Sequence, residues 1–336
     1  MKMYRLPIIL FTVLLFQASL YSCGKSTQTK SDQERTAEKP VLLGSFDKDS
    51  AYRYIADQVA FGPRVPGTES HKSCGRYLVD RLERFGADTV IEQKVVVEAF
   101  NGDKLPINNI FAKYNSDAVN RVLLVAHWDT RPWANMESTE EHREQPVPGA
   151  NDGGSGVGVI LEIARNLGLK APECGVDILF TDAEDYGNSN WFVTNDETWC
   201  LGTQYWVEHM PYNRANRPSY GILLDMVGGQ DARFHREQLS NSKARSATVK
   251  VWAEARSLGY DDIFVNSVGG AVIDDHVFLI DAGIPTTDII ENMSDLTGSF
   301  PATWHTLDDD MQHISRKTLE AVGNTVLNVI YKEKSI

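Results

Sequence analysis

Six short polar clusters hold most of the groups in this chain that could do chemistry. They are His127-Trp128-Asp129, Asn151-Asp152, Asp182-Ala183-Glu184-Asp185, Asp225, Asp274-Asp275-His276 and Trp304-His305. Three follow directly on apolar runs: Val122–Ala126 before His127, Val176–Phe180 before the acidic stretch, and Ile222–Leu224 before Asp225. Taken singly, each acid fits a loop or a helix cap, and each histidine fits a satisfied core position. Taken together they need neutralising, because carboxylates crowded out of water cost on the order of several kcal/mol unless a cation or proton joins them. A divalent ion does this, and an Asp/Glu/His set without cysteine suits zinc in an open, catalytic coordination. Cys74, Cys174 and Cys200 show no CxxC spacing, which argues against a cysteine zinc site. Their odd number leaves at least one thiol unpaired.

The elements that must position these groups are organised around residues 148–165. Pro148-Gly149-Ala150-Asn151-Asp152 leads into Gly153, Gly154, Gly156 and Gly158, and then into Val159-Ile160-Leu161-Glu162-Ile163. Closely spaced glycines let the backbone turn and approach its neighbours, and the apolar run reads as a buried helix over 155–167 with Asp152 at its mouth. Further helices are expected from about Asp49 to Val59, Glu69 to Phe85, Leu201 to Glu208, Ser246 to Leu258 and Arg316 to Tyr331. Strands are expected over 90–100, alternating as an edge strand does, and over 108–114, 122–126, 176–181, 220–224 and 284–290. Strands alternating with helices predict a three-layer α/β sandwich with a mostly parallel, mixed central sheet. Acids and imidazoles gathered at strand ends are how such sheets build sites. No internal repeat and no dinucleotide fingerprint is present.

The start of the chain reads as a leader. Lys2 and Arg5 precede an apolar stretch that closes on Leu20-Tyr21-Ser22-Cys23-Gly24. This looks like a bacterial lipoprotein signal over 1–22, with Cys23 as the lipidated first residue of the mature chain. Residues 23–45, polar for most of their length, are expected to be a flexible tether, and residues 46–336 one domain. The expected location is the envelope of a Gram-negative bacterium, in the periplasm or on the outer membrane, as a membrane-anchored monomer. The formal charge of −13 becomes −15 once Lys2 and Arg5 are removed, which excludes nucleic acid as a natural partner.

The order His-x-Asp, Gly-Ala-Asn-Asp, acidic pair, Leu-Asp, Asp-His and a late His resembles the zinc aminopeptidase superfamily called M28. Within it the chain is most similar to the glutaminyl cyclases of bacteria, from about Asp49 to the end. The segments tipping the resemblance toward them are Ala126–Pro132, Trp191, Asp274-Asp275-His276 and Trp304-His305-Thr306. The resemblance implies one zinc held by Asp152, Asp185 and His305. It makes Glu184 the proton carrier, Asp225 a partner of the reacting amide and Asp274 an acid behind them, and it gives Trp191 and Trp304 as substrate walls. Trp128 and Trp133 read as support. The implied substrates are peptides and proteins with an N-terminal glutamine, cyclised to pyroglutamate with loss of ammonia. The chain departs from the animal cyclases in three places. They have two glutamates at Glu184-Asp185 and a pocket histidine at Asp288, and Asp295 to Phe300 looks like a longer loop.

Two other readings stay open on the residues. In a two-zinc aminopeptidase, His127, Asp152 and Asp225 would bind a second ion, whereas in a one-zinc cyclase His127 and Asp129 would support the site. A binding lipoprotein on a dead scaffold is the third, although every acid of the site is present.

Overall fold

The computed structural model describes residues 41–190, 196–213 and 216–335, and Trp191 and the leader lie outside them. Helix α1 (Lys48–Val59) begins where the Asp47 carboxylate accepts the Asp49 N–H, and α2 (Glu69–Arg84) where the Thr68 hydroxyl accepts the His71 N–H. Strands β1 (Thr89–Glu98) and β2 (Lys104–Tyr114) form an antiparallel pair, followed by β3 (Arg121–His127) and the short α3 (Glu140–Arg143). The central helix α4 (Gly154–Leu169) leads to β4 (Gly175–Thr181), α5 (Leu201–Glu208) and β5 (Tyr220–Asp225). Then come β6 (Phe234–Arg236), α6 (Gln238–Lys243), α7 (Arg245–Ser257), β7 (Phe264–Val268), α8 (Asp275–Asp281), β8 (Thr286–Ile290) and α9 (Arg316–Lys332).

Six strands form one mixed sheet in the order β1-β2-β4-β3-β5-β8, in which β4, β3, β5 and β8 run parallel. Both faces of the parallel part are covered, which is why its strands are apolar without alternation. On one face Val122, Leu124 and Ala126 pack with Ile55, Ile160, Val251 and Leu327 from α1, α4, α7 and α9. On the other, Leu123 and Val125 pack with Trp206 from α5 and Leu279 from α8. β1 is the edge strand its alternation predicted. It stops at Glu98, where Ala99 and Asp103 close a turn through Gly102 at φ +88°. β2 begins four residues before its expected start, because Pro106 faces Val96 across the edge pair and only masks the strand pattern. The two-stranded β6–β7 pair was not expected. Three and five residues are too short to leave a readable period.

Two glycines set the distance between α4 and the sheet. Gly153 sits at φ +56°, and a Cβ there would press on the His127 backbone and ring. A Cβ at Gly156 would collide with the Leu224 carbonyl and crowd Ala126. The mouth of α4 can therefore settle against the ends of β3 and β5, bringing Asp152 beside His127 and Asp225.

Candidate active site

Parallel strands end at one edge of a sheet, so their last residues share one place. His127 ends β3 opposite Thr181 of β4, and Asp225 ends β5 opposite Ile290 of β8. Past those ends the backbone turns sharply. Ala183, Met226 and His305 all take left-handed φ of 48°, 48° and 56°, a strained state for residues with a Cβ. The turn at Ala183 follows β4 and precedes Glu184 and Asp185, and the His305 turn delivers its ring from the loop before α9.

Of the expected residues, Asp152, Asp185 and His305 come together with donor atoms within 4.8 Å of one another. His305 Nε2 lies 3.1 Å from Asp185 Oδ1 and 3.7 Å from Asp152 Oδ2. Burial, with Arg131 and His127 nearby, holds the His305 imidazole well below its usual range despite Asp152, so it is a neutral ligand nitrogen. Two carboxylates and a neutral imidazole, all buried and meeting at one point, fit a zinc ion with an open coordination position. His127, Asp152 and Asp225 form a second convergent set, His127 Nε2 being 3.0 Å from Asp152 and 3.2 Å from Asp225. Burial opposes a charge on His127, but Asp129, Asp152 and Asp225 outweigh it and push its pKa well above the ordinary value.

Glu184, Cys200 and Asp274 form a third group. The Cys200 thiol donates to Glu184 Oε1 at 3.3 Å, and the Cys200 N–H donates to the Glu184 carbonyl at 2.9 Å. Burial raises the Glu184 carboxyl well above the usual range, and Asp274, Asp185 and Asp275 add to it against the pull of His127. Asp185 and Asp225 each rise to about 6 through burial, moderated by Arg131 and His127 at Asp185 and by His127 at Asp225. A carboxyl that holds a proton near neutrality is suited to acid and base work.

Four supporting residues had no expected role. Arg131, fully buried, donates to the Asp185 carboxylate at 3.1 Å and its carbonyl at 2.9 Å, and stacks between Trp133 and Trp199. Asp309 accepts the N–H groups of Asn151 (2.7 Å) and Asp152 (3.0 Å), and burial beside Asp152 pushes its carboxyl up to about 8. Trp199 and Cys200 come from the start of α5. In the sequence Asp309 is one of three consecutive aspartates, with nothing in type or spacing to single it out. Arg131 left a usable signal, being a cation two residues beyond His-x-Asp. Asp129 accepts the N–H groups of Glu184 and Asp185 at 3.1 and 3.2 Å and lies 3.5 Å from His127 Nδ1, holding β3 and the acidic turn together.

Asp152, Glu184, Asp185, Asp225, Asp274 and His305 line a cavity of about 290 Å³ whose walls include Trp199, Ile290, Phe300 and Trp304. Trp304 stacks on the His305 ring at 3.8 Å and on Phe300 at 4.5 Å. Trp128 is buried away from the cavity, stacked on His71 and donating to the Asn108 carbonyl. Cys74, Cys174 and Cys200 are free, buried thiols.

A model of peptidase family M28 matches residues 109–330. A crystal structure of Bacteroides thetaiotaomicron glutaminyl cyclase bound to N-acetylhistamine is 47% identical, with a TM-score of 0.83, over 88% of this chain and 100% of that one. The glutaminyl-peptide cyclotransferase of Bos taurus is 21% identical over 90% of this chain and 89% of its own. Aminopeptidase YwaD of Bacillus subtilis is 26% identical over 63% of this chain, but the match spans only 40% of that protein.

Proposed function

The chain belongs to peptidase family M28, and from that premise we propose that it is a glutaminyl-peptide cyclotransferase that binds one zinc. The observation that carries the reading is the 47% identity to a bacterial glutaminyl cyclase along the whole of that chain. Aminopeptidases match as well, Bacillus subtilis YwaD at 26% identity over 40% of its length and a Bacteroides thetaiotaomicron leucine aminopeptidase precursor at 46% over all of its chain, so the reaction product must separate the two readings.

In the proposed reaction the free α-amine of an N-terminal glutamine attacks its own side-chain carbonyl carbon. A ring C–N bond forms, the bond to the amide nitrogen breaks, and ammonia leaves. Zinc held by Asp152, Asp185 and His305 would supply Lewis-acid polarisation of that carbonyl. Glu184 takes the proton from the attacking amine and delivers it to the departing nitrogen, so it must reach both in turn. Its raised pKa and its thiol clamp suit that shuttle. Asp225 accepts a hydrogen bond from the side-chain amide, and Asp274 faces Glu184 from the rear. Trp304 narrows the slot so that the glutamine side chain stays folded back, while Trp191, expected to join it, lies outside the described residues. In a ring closure this pre-organisation contributes much of the rate.

The test is the product formed from a glutamine-initiated peptide. A product lighter by one ammonia, with no free amino acid, supports the cyclase. Release of the first residue from a leucine-initiated peptide instead would establish the aminopeptidase reading, which the convergence of His127, Asp152 and Asp225 keeps specific. Neither product would leave the binding scaffold.

Export and lipid attachment at Cys23 belong to the same proposal and rest on residues 1–24. Among the described residues no helix is long and apolar enough to cross a membrane. Cys23→Ala should move the protein from the membrane fraction to the soluble one, and unchanged membrane retention would contradict the anchor.

A further inference from the structure

Behind the cavity, on the side of β8, lies a buried cluster that the proposed reaction leaves unused. Asp288 sits in β8 opposite Leu223, with no exposed surface. Neither of its carboxyl oxygens has a hydrogen-bond partner among the described residues. The same holds for His276 Nδ1, 3.6 Å from Asp288 Oδ2, and for Asp274 Oδ2. Donor atoms of Asp274, His276 and Asp288 lie within 4.8 Å of one another. The groups facing Asp288 are Glu237 at the start of α6, Asp274 and Asp275 at the start of α8, His276 within α8 and Asp225 at the end of β5.

The hydrogen bonds around this cluster fix who can donate. Glu237 accepts the N–H groups of Leu239 (2.9 Å), Ser240 (2.6 Å) and Val272 (3.1 Å), and lies 3.1 Å from His276 Nε2. Despite its burial, these bonds hold the Glu237 carboxyl down at about 2, so it is an acceptor only. The His276 proton therefore belongs on Nε2, which leaves Nδ1 an acceptor. Burial beside Asp225 and Asp275 pushes the Asp274 carboxyl well up too, but its Oδ1 accepts the Asp275 N–H at 2.5 Å, a bond that works in the opposite direction. Asp288 has no such bond to its carboxyl, its own N–H going to the Ser240 hydroxyl at 3.0 Å. Four buried atoms, both Asp288 oxygens, Asp274 Oδ2 and His276 Nδ1, thus have no hydrogen-bond partner among the described residues. One proton on the carboxyl that no N–H stabilises resolves the conflict.

We propose that Asp288 is a neutral carboxylic acid that donates its proton into the Asp274–His276 cluster and so acts as a positioning residue for Asp274 in the cyclisation. This rests on the cyclase reading of the site. Burial beside Asp274, Glu237 and Asp225 works in the same direction, pushing the Asp288 carboxyl well up. A neutral Asp288 removes one negative charge from the rear of the cavity. It also fixes Asp274, with one oxygen on a main-chain N–H and the other on an O–H, where Asp274 faces Glu184 and Cys200.

The test compares Asp288→Asn, whose carboxamide still donates without charge, with Asp288→Ala, which cannot donate. Zinc content and the infrared signature of an un-ionised carboxylic acid are followed in parallel. The expected result is kcat within about 3-fold of wild type for Asp288→Asn. For Asp288→Ala kcat should fall about 10- to 100-fold with KM within about 2-fold. The wild-type minus Asp288→Asn difference spectrum at about pH 8, far above where an ordinary aspartate ionises, should contain a carboxylic-acid C=O band, the bands of Glu184 and Asp309 cancelling. The proposal is overturned if Asp288→Asn is as impaired as Asp288→Ala, if the band is missing, or if wild type carries a second ion that Asp288→Asn loses. Failure of wild type to cyclise the peptide would sink the cyclase reading instead, and the infrared band would still decide the state of Asp288.

Discussion

Glu184 and Asp185 are adjacent in sequence yet face different partners, and the left-handed turn at Ala183 comes just before them. Asp185 points at His305 and Arg131, while Glu184 points at Cys200 and the rear acids. A single strained turn thus separates the proposed metal ligand from the proposed proton carrier. Glu184→Gln should keep zinc and lose about 100- to 10,000-fold in kcat. Turnover near wild type would remove the proton-carrier role. His305→Ala should lose zinc on dialysis, since two carboxylates alone make a poor site, and full retention would take His305 off the ligand set. At this scale the sequence was informative wherever acid and imidazole followed an apolar run, as at His127, Asp185 and Asp225. It was silent on Asp309 and Cys200. Their importance comes from what they touch across 157 and 16 residues of chain, and neither type nor spacing encodes such contacts.

At the scale of elements, the site exists because α4 lies against the ends of β3 and β5 with only hydrogen atoms on Gly153 and Gly156 between them. Gly156→Ala would drive a methyl group into the Leu224 carbonyl. The expected cost is about 1–3 kcal/mol of stability together with weakened zinc binding, because Asp152 moves with the helix mouth. Denaturant unfolding and zinc titration of that variant check it, and wild-type values in both would mean that the close approach is not needed. The long helices were legible by their apolar periodicity, the buried strands by unbroken runs of apolar residues, and the entry to α4 by its closely spaced glycines. The short α8, which presents Asp275 and His276, was read only as a polar motif. Seven residues behind an Asp274 cap carry too little periodicity to mark a helix, and their placement depends on packing against α5 and β8.

For the whole molecule, the excess of acid over base matters most inside this one cavity. In the metal-free protein Asp185 and Asp225 ionise at about 6, above the ordinary 3.8. Between those values the folded chain holds protons that the unfolded chain has released. Stability without metal therefore falls as pH climbs from about 4 to about 6, and Asp309, raised to about 8, carries the fall further. Zinc needs Asp185 ionised, so its binding strengthens over the same interval. The rise in Tm on adding zinc should thus be small at about pH 5 and larger at about pH 7.5, and a rise independent of pH would contradict this linkage. Whether two ions or one balance the cavity separates the family's two chemistries, and no reading of residue types distinguishes them, since all the side chains of a two-ion site are present. The most direct test is therefore to count zinc in the same preparation that converts a glutamine-initiated peptide. About one ion per chain in protein that releases ammonia is the expected result. About two ions, in protein that instead frees the first amino acid, would contradict the account and make His127 and Asp225 ligands.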